Sequence, residues 1–141
     1  MKPCPICEKH KTPIDSMITE GEHSILVHYP VSEAEPQAYK GHLMVEVRRH
    51  VTSFGELSGA EAAEVGVTIA KASRLLTEEL GAEHVYVFTI GHLVPHLHIH
   101  VVARYPGTPE EYWGGKRLAE WPGAPLISEA AVRELALRLR N

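Results

Sequence analysis

Three histidines stand on alternate residues in Pro95-His96-Leu97-His98-Ile99-His100-Val101-Val102. If positions 96–104 form a strand, side chains alternate between faces. His96, His98 and His100 then share one face, while Leu97, Ile99 and Val101 turn to a core on the other. Residues two apart lie about 6.6 Å apart along a strand, and residues four apart about 13 Å. Neighbouring imidazoles can share a metal, but His96 and His100 are too distant to join one three-histidine site, so the three divide their labour. Pro95 marks the strand start by its missing N–H, which leaves His96 open to ligands from elsewhere in the chain. His98, one pleat further in, can act as a nucleophile. A neutral imidazole with a pKa of about 6.5 is largely unprotonated at physiological pH and attacks phosphorus well, provided an acceptor fixes its second nitrogen. His100 can donate to the group being transferred.

The only two cysteines form Cys4-Pro5-Ile6-Cys7. A redox dithiol is expected just after a strand in a βαβ unit, and nothing of that kind precedes this pair. Two thiolates on a tight turn suit a tetrahedral zinc, which needs two more ligands from elsewhere. An incidental pair is the remaining alternative.

These groups have to be positioned by a chain of 141 residues, long enough to bury a core and most simply one domain. Hydrophobic residues make up 44% and charged residues 23%, as in ordinary soluble proteins. A net charge of −4 with no basic stripe gives no reason to expect nucleic-acid binding. No stretch approaches the roughly 20 apolar residues of a membrane helix, and the N-terminus has no apolar signal region, so a cytoplasmic location is expected. Positions 16–19 and 24–29 read as strands around a turn, 30–40 as an acidic loop, and His42–Val47 as a strand. Ser58 and Glu61 form a capping box for a helix over 58–80 that Gly81 stops. Its apolar residues Ala62, Val65, Ile69, Ala72, Leu76 and Leu80 follow a three-four rhythm and pack one face on the sheet. Strands over 85–90 and 96–105 complete that sheet, and Ser128–Arg140 reads as a last helix showing Val132, Leu135 and Leu139. The expected fold is α+β: an antiparallel sheet with a long helix across it and a C-terminal helix.

Positions 105–126 hold both tryptophans, Trp113 and Trp121, among many prolines and glycines. The segment is either a surface strap pinned by two aromatic plugs or a substrate- or partner-facing loop. Trp113 is its substrate-facing candidate. Arg48, Arg49 and Arg104 are candidates to steer an anion, or simply solvated charges.

The residues VPHLHIHVVARY, together with KGHLMVEVRRHVTSFGELS at 40–58 and the N-terminal Cys-x-x-Cys, resemble the histidine triad (HIT) family over about positions 4–105. The resemblance implies a HIT-like fold over 1–141, with loop 105–126 and helix 128–140 outside what it covers. It makes His98 the nucleophile that attacks the α-phosphorus of a nucleotide ester, anhydride or amidate, giving a nucleotidyl-histidine intermediate. His100 and His42 match the supporting histidines near the phosphate. Zinc-bearing members place a structural zinc at positions matching Cys4, Cys7, His50 and His96. The implied protein is a nucleotide hydrolase or nucleotidyltransferase that binds a nucleotide substrate and forms a homodimer. The chain departs from the family pattern before the triad. Thr89-Ile90-Gly91-His92 replaces the usual Asn-x-Gly loop and Gly-Gln pair, leaving His92 where the Gln stands, and His28 falls at the place of the ribose-binding acid or amide. Arg104 is a further substrate-side candidate. The lost loop motivates one alternative, a non-catalytic nucleotide-binding or interaction protein on the same scaffold. A hydrolase built around an open zinc is another, and counting metal ligands separates it.

Overall fold

The computed structural model describes residues 3–115 and 117–140. Helix α1 (Pro5–Lys9) leads into strands β1 (Met17–Glu20), β2 (Ser24–His28), β3 (Gln37–Tyr39) and β4 (His42–Val47). Helix α2 (Gly59–Glu78) follows, then β5 (His84–Phe88), β6 (His98–Arg104), β7 (Leu126–Ser128) and helix α3 (Glu129–Leu139). Five strands form one antiparallel sheet in the order β1-β2-β4-β6-β5, and β3 pairs with β7 in a separate two-stranded ribbon. The α+β architecture expected from the sequence is the one observed.

Strict alternation in β4 and β6 gives the sheet two different faces. Leu43, Val45, Val47, Ile99, Val101 and Ala103 pack under α2 against Val65, Ala72 and Leu76. Burying each larger aliphatic side chain contributes about 1.5–3 kcal/mol. Helix α2 begins as its sequence indicates: the Ser58 hydroxyl accepts from the Glu61 N–H at 3.1 Å, and Glu61 accepts from the Ser58 N–H at 2.8 Å. Gly81, at φ 76°, turns the chain out of the helix in a conformation that disfavours side chains. The apolar stripe starts one turn later than expected. Ala62 is exposed, and Glu61 is buried in its place because the capping box and Arg49 hold its carboxylate.

Three further features depart from the sequence reading. The Cys4–Cys7 turn is a short helix with Cys4 as its N-cap. The loop over 30–40 surrenders Gln37–Tyr39 to the β3–β7 ribbon, and the 105–126 loop surrenders its last residue, Leu126. His96 lies just before β6, not in it.

Candidate active site and metal centre

The sheet face away from α2 carries His42, Met44 and Glu46 on β4, with Val102, His100 and His98 opposite them on β6. This face floors a cavity of about 760 Å³. Tyr29, Tyr39, Phe88, Ile90 and Leu118 give it apolar walls, and Gly91, His92, Leu93 and Val94 edge it.

His98 and His100 stand edge to face with ring centroids 5.1 Å apart. The His98 Nδ1–H donates to the His96 carbonyl at 2.6 Å, which in the neutral ring puts the lone pair on Nε2. His100 Nδ1 and His42 Nε2 share a hydrogen bond of 2.8 Å. His100 stacks on Phe88, and His42 stacks on Tyr29 with centroids 4.4 Å apart. Burial, reinforced by the neighbouring His100, His28 and His98, pushes the His42 pKa down to about 3, so this imidazole stays neutral across the physiological range.

At the other end of the triad, Cys4, Cys7, His50 and His96 each offer one donor atom, all within 4.8 Å of one another. His96 Nδ1 lies 3.3 Å from Cys4 Sγ, 3.4 Å from Cys7 Sγ and 3.2 Å from His50 Nδ1, and Cys7 Sγ lies 3.4 Å from His50 Nδ1. With Zn–S of about 2.3 Å and Zn–N of about 2.0–2.1 Å, the edges of a tetrahedron span about 3.3–3.8 Å. The donor set therefore fits a tetrahedral cation. The His96 Nε2–H donates to the Val47 carbonyl at 2.5 Å, which turns Nδ1 toward the thiols. Desolvation and the adjacent Cys4 thiol push the Cys7 thiol up, an unfavourable pairing that a bound cation reverses by drawing off both protons.

The remaining candidates are dispersed. His92 is exposed at the cavity rim. His28 is 0% exposed on the α2 side of the sheet, where its Nε2 accepts from the Gly41 N–H at 3.1 Å and its Nδ1–H donates to the Tyr29 carbonyl at 2.8 Å. Both its nitrogens are consumed within the protein, and the adjacent Tyr29 faces the cavity instead. Arg104 lies six residues along β6 from His98, about 20 Å away. There its guanidinium donates to Glu83 and Tyr86 and sits 3.6 Å from the Trp113 ring. Trp113 is thus a strap anchor, whereas Gly115, Leu118, Ala119 and Leu126 of the same segment line the cavity. Arg48 is held by Glu20 and the Gly21 carbonyl, and Arg49 by Glu61 and the Glu56 carbonyl.

Sequence reasoning passed over Glu46 and Lys9, and read His10 only as a surface or satisfied residue. Glu46 pairs directly with His98 across the strands and is 0% exposed. Its carboxylate meets His10 Nε2 at 3.0 Å and the Lys9 ammonium. Burial alone would raise its pKa, but these two partners hold it below the ordinary carboxylate value. The available signal was parity, since Glu46 is four residues from His42 on the triad's side of β4.

A five-stranded antiparallel sheet that carries alternate histidines beside a Cys₂His₂ cluster defines a histidine-triad protein. The HIT domain family model matches residues 17–107, more than half of the chain, and the chain belongs to that family. No curated protein matches the sequence. Among solved structures, a hypothetical protein from Leishmania major is similar at 26% identity and TM-score 0.60, covering 96% of this chain and 92% of that one. A hypothetical histidine triad nucleotide-binding protein from Sulfolobus tokodaii is similar at 20% identity and TM-score 0.67, with 97% and 89% covered. The C. elegans NitFhit protein matches at 23% identity and TM-score 0.64 over 92% of this chain, which spans only 28% of the NitFhit chain. Among the described residues no helix is long and apolar enough to cross a membrane.

Proposed function

We propose that this protein is a nucleotide hydrolase or nucleotidyltransferase that uses His98 as its nucleophile. The observation that carries the reading is the His98 Nδ1–H bond to the His96 carbonyl, which holds the ring in the tautomer with a reactive Nε2. In the first step Nε2 bonds to the α-phosphorus of a nucleotide ester, anhydride or amidate. The bond from phosphorus to the bridging atom breaks, and its electron pair leaves with the departing group. Water or another acceptor then attacks the phosphorus, the P–N bond breaks with its electron pair returning to Nε2, and the acceptor's proton passes to solvent. His100, braced by neutral His42, donates to the phosphoryl oxygens, where charge builds up. His92 serves as a rim donor to the nucleotide.

Cys4, Cys7, His50 and His96 would hold a zinc whose role is structural, tying the chain start to the entrance of β6. Four protein donors leave no open position for a reacting water, which weighs against an open catalytic zinc. The reduced thiols that such a site needs suit a cytoplasmic location. Homodimer formation through the outer strand β5 is supported by the exposure of Val87 on that strand.

The test is intact-mass spectrometry after brief incubation with nucleoside polyphosphates, phosphoramidates and nucleotide sugars, quenched in alkali because phosphohistidine-type bonds are acid-labile. An added nucleotidyl mass that is absent in His98→Ala is the expected result. Neither adduct nor product from the whole panel would favour the non-catalytic binding protein.

A further inference from the structure

Lys9 lines the same cavity as the proposed nucleophile without sharing its strand or its motif. It closes helix α1, two residues after Cys7, and the cluster of thiols and imidazoles at the helix start sets where it points. Its ammonium meets the carboxylate of Glu46, and Glu46 is the direct cross-strand partner of His98. Side chains so opposed have Cβ atoms about 4.5–5.5 Å apart, and Lys9, Glu46 and His98 all line the one cavity.

Two observations separate Lys9 from a simple counter-ion. Glu46 also accepts from His10 Nε2 at 3.0 Å, so Lys9 is one of two partners that this completely buried carboxylate has. Lys9 remains 26% exposed and lines the cavity, and among the described lining residues it is the one Lys or Arg. An ammonium has three donors, and Glu46 takes one. The apolar walls of the cavity strengthen any charge interaction made by the others.

We infer that Lys9, held by Glu46 at the His98 end of the cavity, is a binding residue for a second phosphate, so that the site takes phosphoanhydride substrates in preference to those whose departing group is uncharged. The inference rests on the nucleotide reading above and specifies its substrate class. Breaking an α-phosphorus bond to a bridging oxygen leaves an extra negative charge on the departing phosphate. A fixed ammonium offsets that charge without a proton transfer. An amine or alcohol departing as the neutral species gains nothing from it.

The test is a calorimetric titration of the zinc-loaded full chain with adenosine monophosphate and with its α,β-methylene diphosphate, whose bridge cannot be cleaved, repeated with the uridine pair. The quantity read is the ratio of diphosphate to monophosphate affinity. A ratio of about ten is expected in the wild type and in Lys9→Arg, falling to about one in Lys9→Met. The double variant Lys9→Met/Glu46→Gln leaves no unpaired buried carboxylate, so it reports the same loss if the single variant folds poorly. A wild-type ratio near one, or a ratio unmoved in either Met variant, overturns the inference and leaves the nucleotide reading standing. Absence of binding by all four probes overturns both. A lost ratio in a protein that forms no His98 adduct supports Lys9 as a phosphate contact and counts against the enzyme.

Discussion

His96 and His98 are two residues apart and of one chemical type, yet backbone carbonyls set them in opposite tautomers. His96 gives its Nε2–H to Val47, which keeps Nδ1 for the thiols of Cys4 and Cys7. His98 gives its Nδ1–H to His96, which keeps Nε2 for the cavity. Position relative to the strand makes the difference. His96 lies just ahead of β6, where the chain is free to turn its ring back toward α1, while His98 is the first residue of β6 and must follow the pleat. A histidine's chemistry here follows from which carbonyl reaches it, and strand geometry decides that.

The sharpest way to break this contrast is to remove each ring in turn. His98→Ala should lower turnover of the best substrate at least about 10³-fold, since a nucleophile has no substitute, while melting temperature and zinc content stay close to wild type. Turnover within tenfold of wild type would end the nucleophile reading. Chelating the metal acts on the opposite side of the contrast. The four donors tie positions 4, 7, 50 and 96 together, so their release should cost about 4 kcal/mol and lower the melting temperature by roughly 10 °C. Calorimetry with and without chelator reads this directly, and an unchanged melting temperature would mean the cluster holds no structural metal.

The two halves of the contrast were not equally legible in the sequence. The period-2 pattern of 96–104 placed His98 and His100 on one face and Ile99 and Val101 on the other, because alternation follows from the backbone alone. Ser58, Glu61 and Gly81 marked the ends of α2 for the same local reason. The separation of His96 from its neighbours also followed from strand spacing, whereas the gathering of Cys4, Cys7 and His50 around it entered through the family resemblance. What stayed hidden depends on contacts distant in sequence. Glu46 and Lys9 meet across 37 residues, and β3 pairs with β7 across about 90. His28 shows how narrow the margin is, since a slip of one position in β2 exchanges a buried imidazole for the cavity-facing Tyr29.

Acidification probes the catalytic end in a different way. His42 is held near 3 by burial and by the surrounding histidines, well below the usual imidazole value of about 6.5. Above pH 6.5 both folded and unfolded chains keep this ring neutral, and it adds no pH dependence. As pH falls below 6.5 the unfolded chain binds the proton and the folded chain does not, so stability is lost down to about pH 3. His42→Gln removes this loss but keeps a neutral side chain. The melting-temperature advantage of the wild type over His42→Gln should therefore shrink steadily between pH 7 and pH 4.5. Comparing the two proteins at each pH cancels the effect of acid on the thiols and their metal. Parallel curves would show that His42 titrates normally.

The smallest expected effect bears on how independent the two ends are. Arg49 immediately precedes the ligand-positioned His50, and its guanidinium is fixed on Glu61, whose carboxylate also caps α2 through Ser58. Arg49 and the Ser58 N–H hold the Glu61 pKa down to about 2 against the opposing effect of burial, so the carboxylate stays ionised well below the ordinary carboxylate range. Ser58→Ala deletes the hydroxyl that accepts from the Glu61 N–H and should cost about 1 kcal/mol, or roughly 2–4 °C in melting temperature. Through Arg49 it should also loosen His50 and weaken zinc affinity several-fold, read by competition with a chromogenic chelator. The rate of adduct formation at His98 should move by less than a factor of two, because the carbonyl that sets its tautomer belongs to His96 and not to the α2 cap. Equal losses in metal affinity and adduct rate would mean that the ends are coupled through β4 and β6, and that the zinc tunes the nucleophile as well as anchoring the chain.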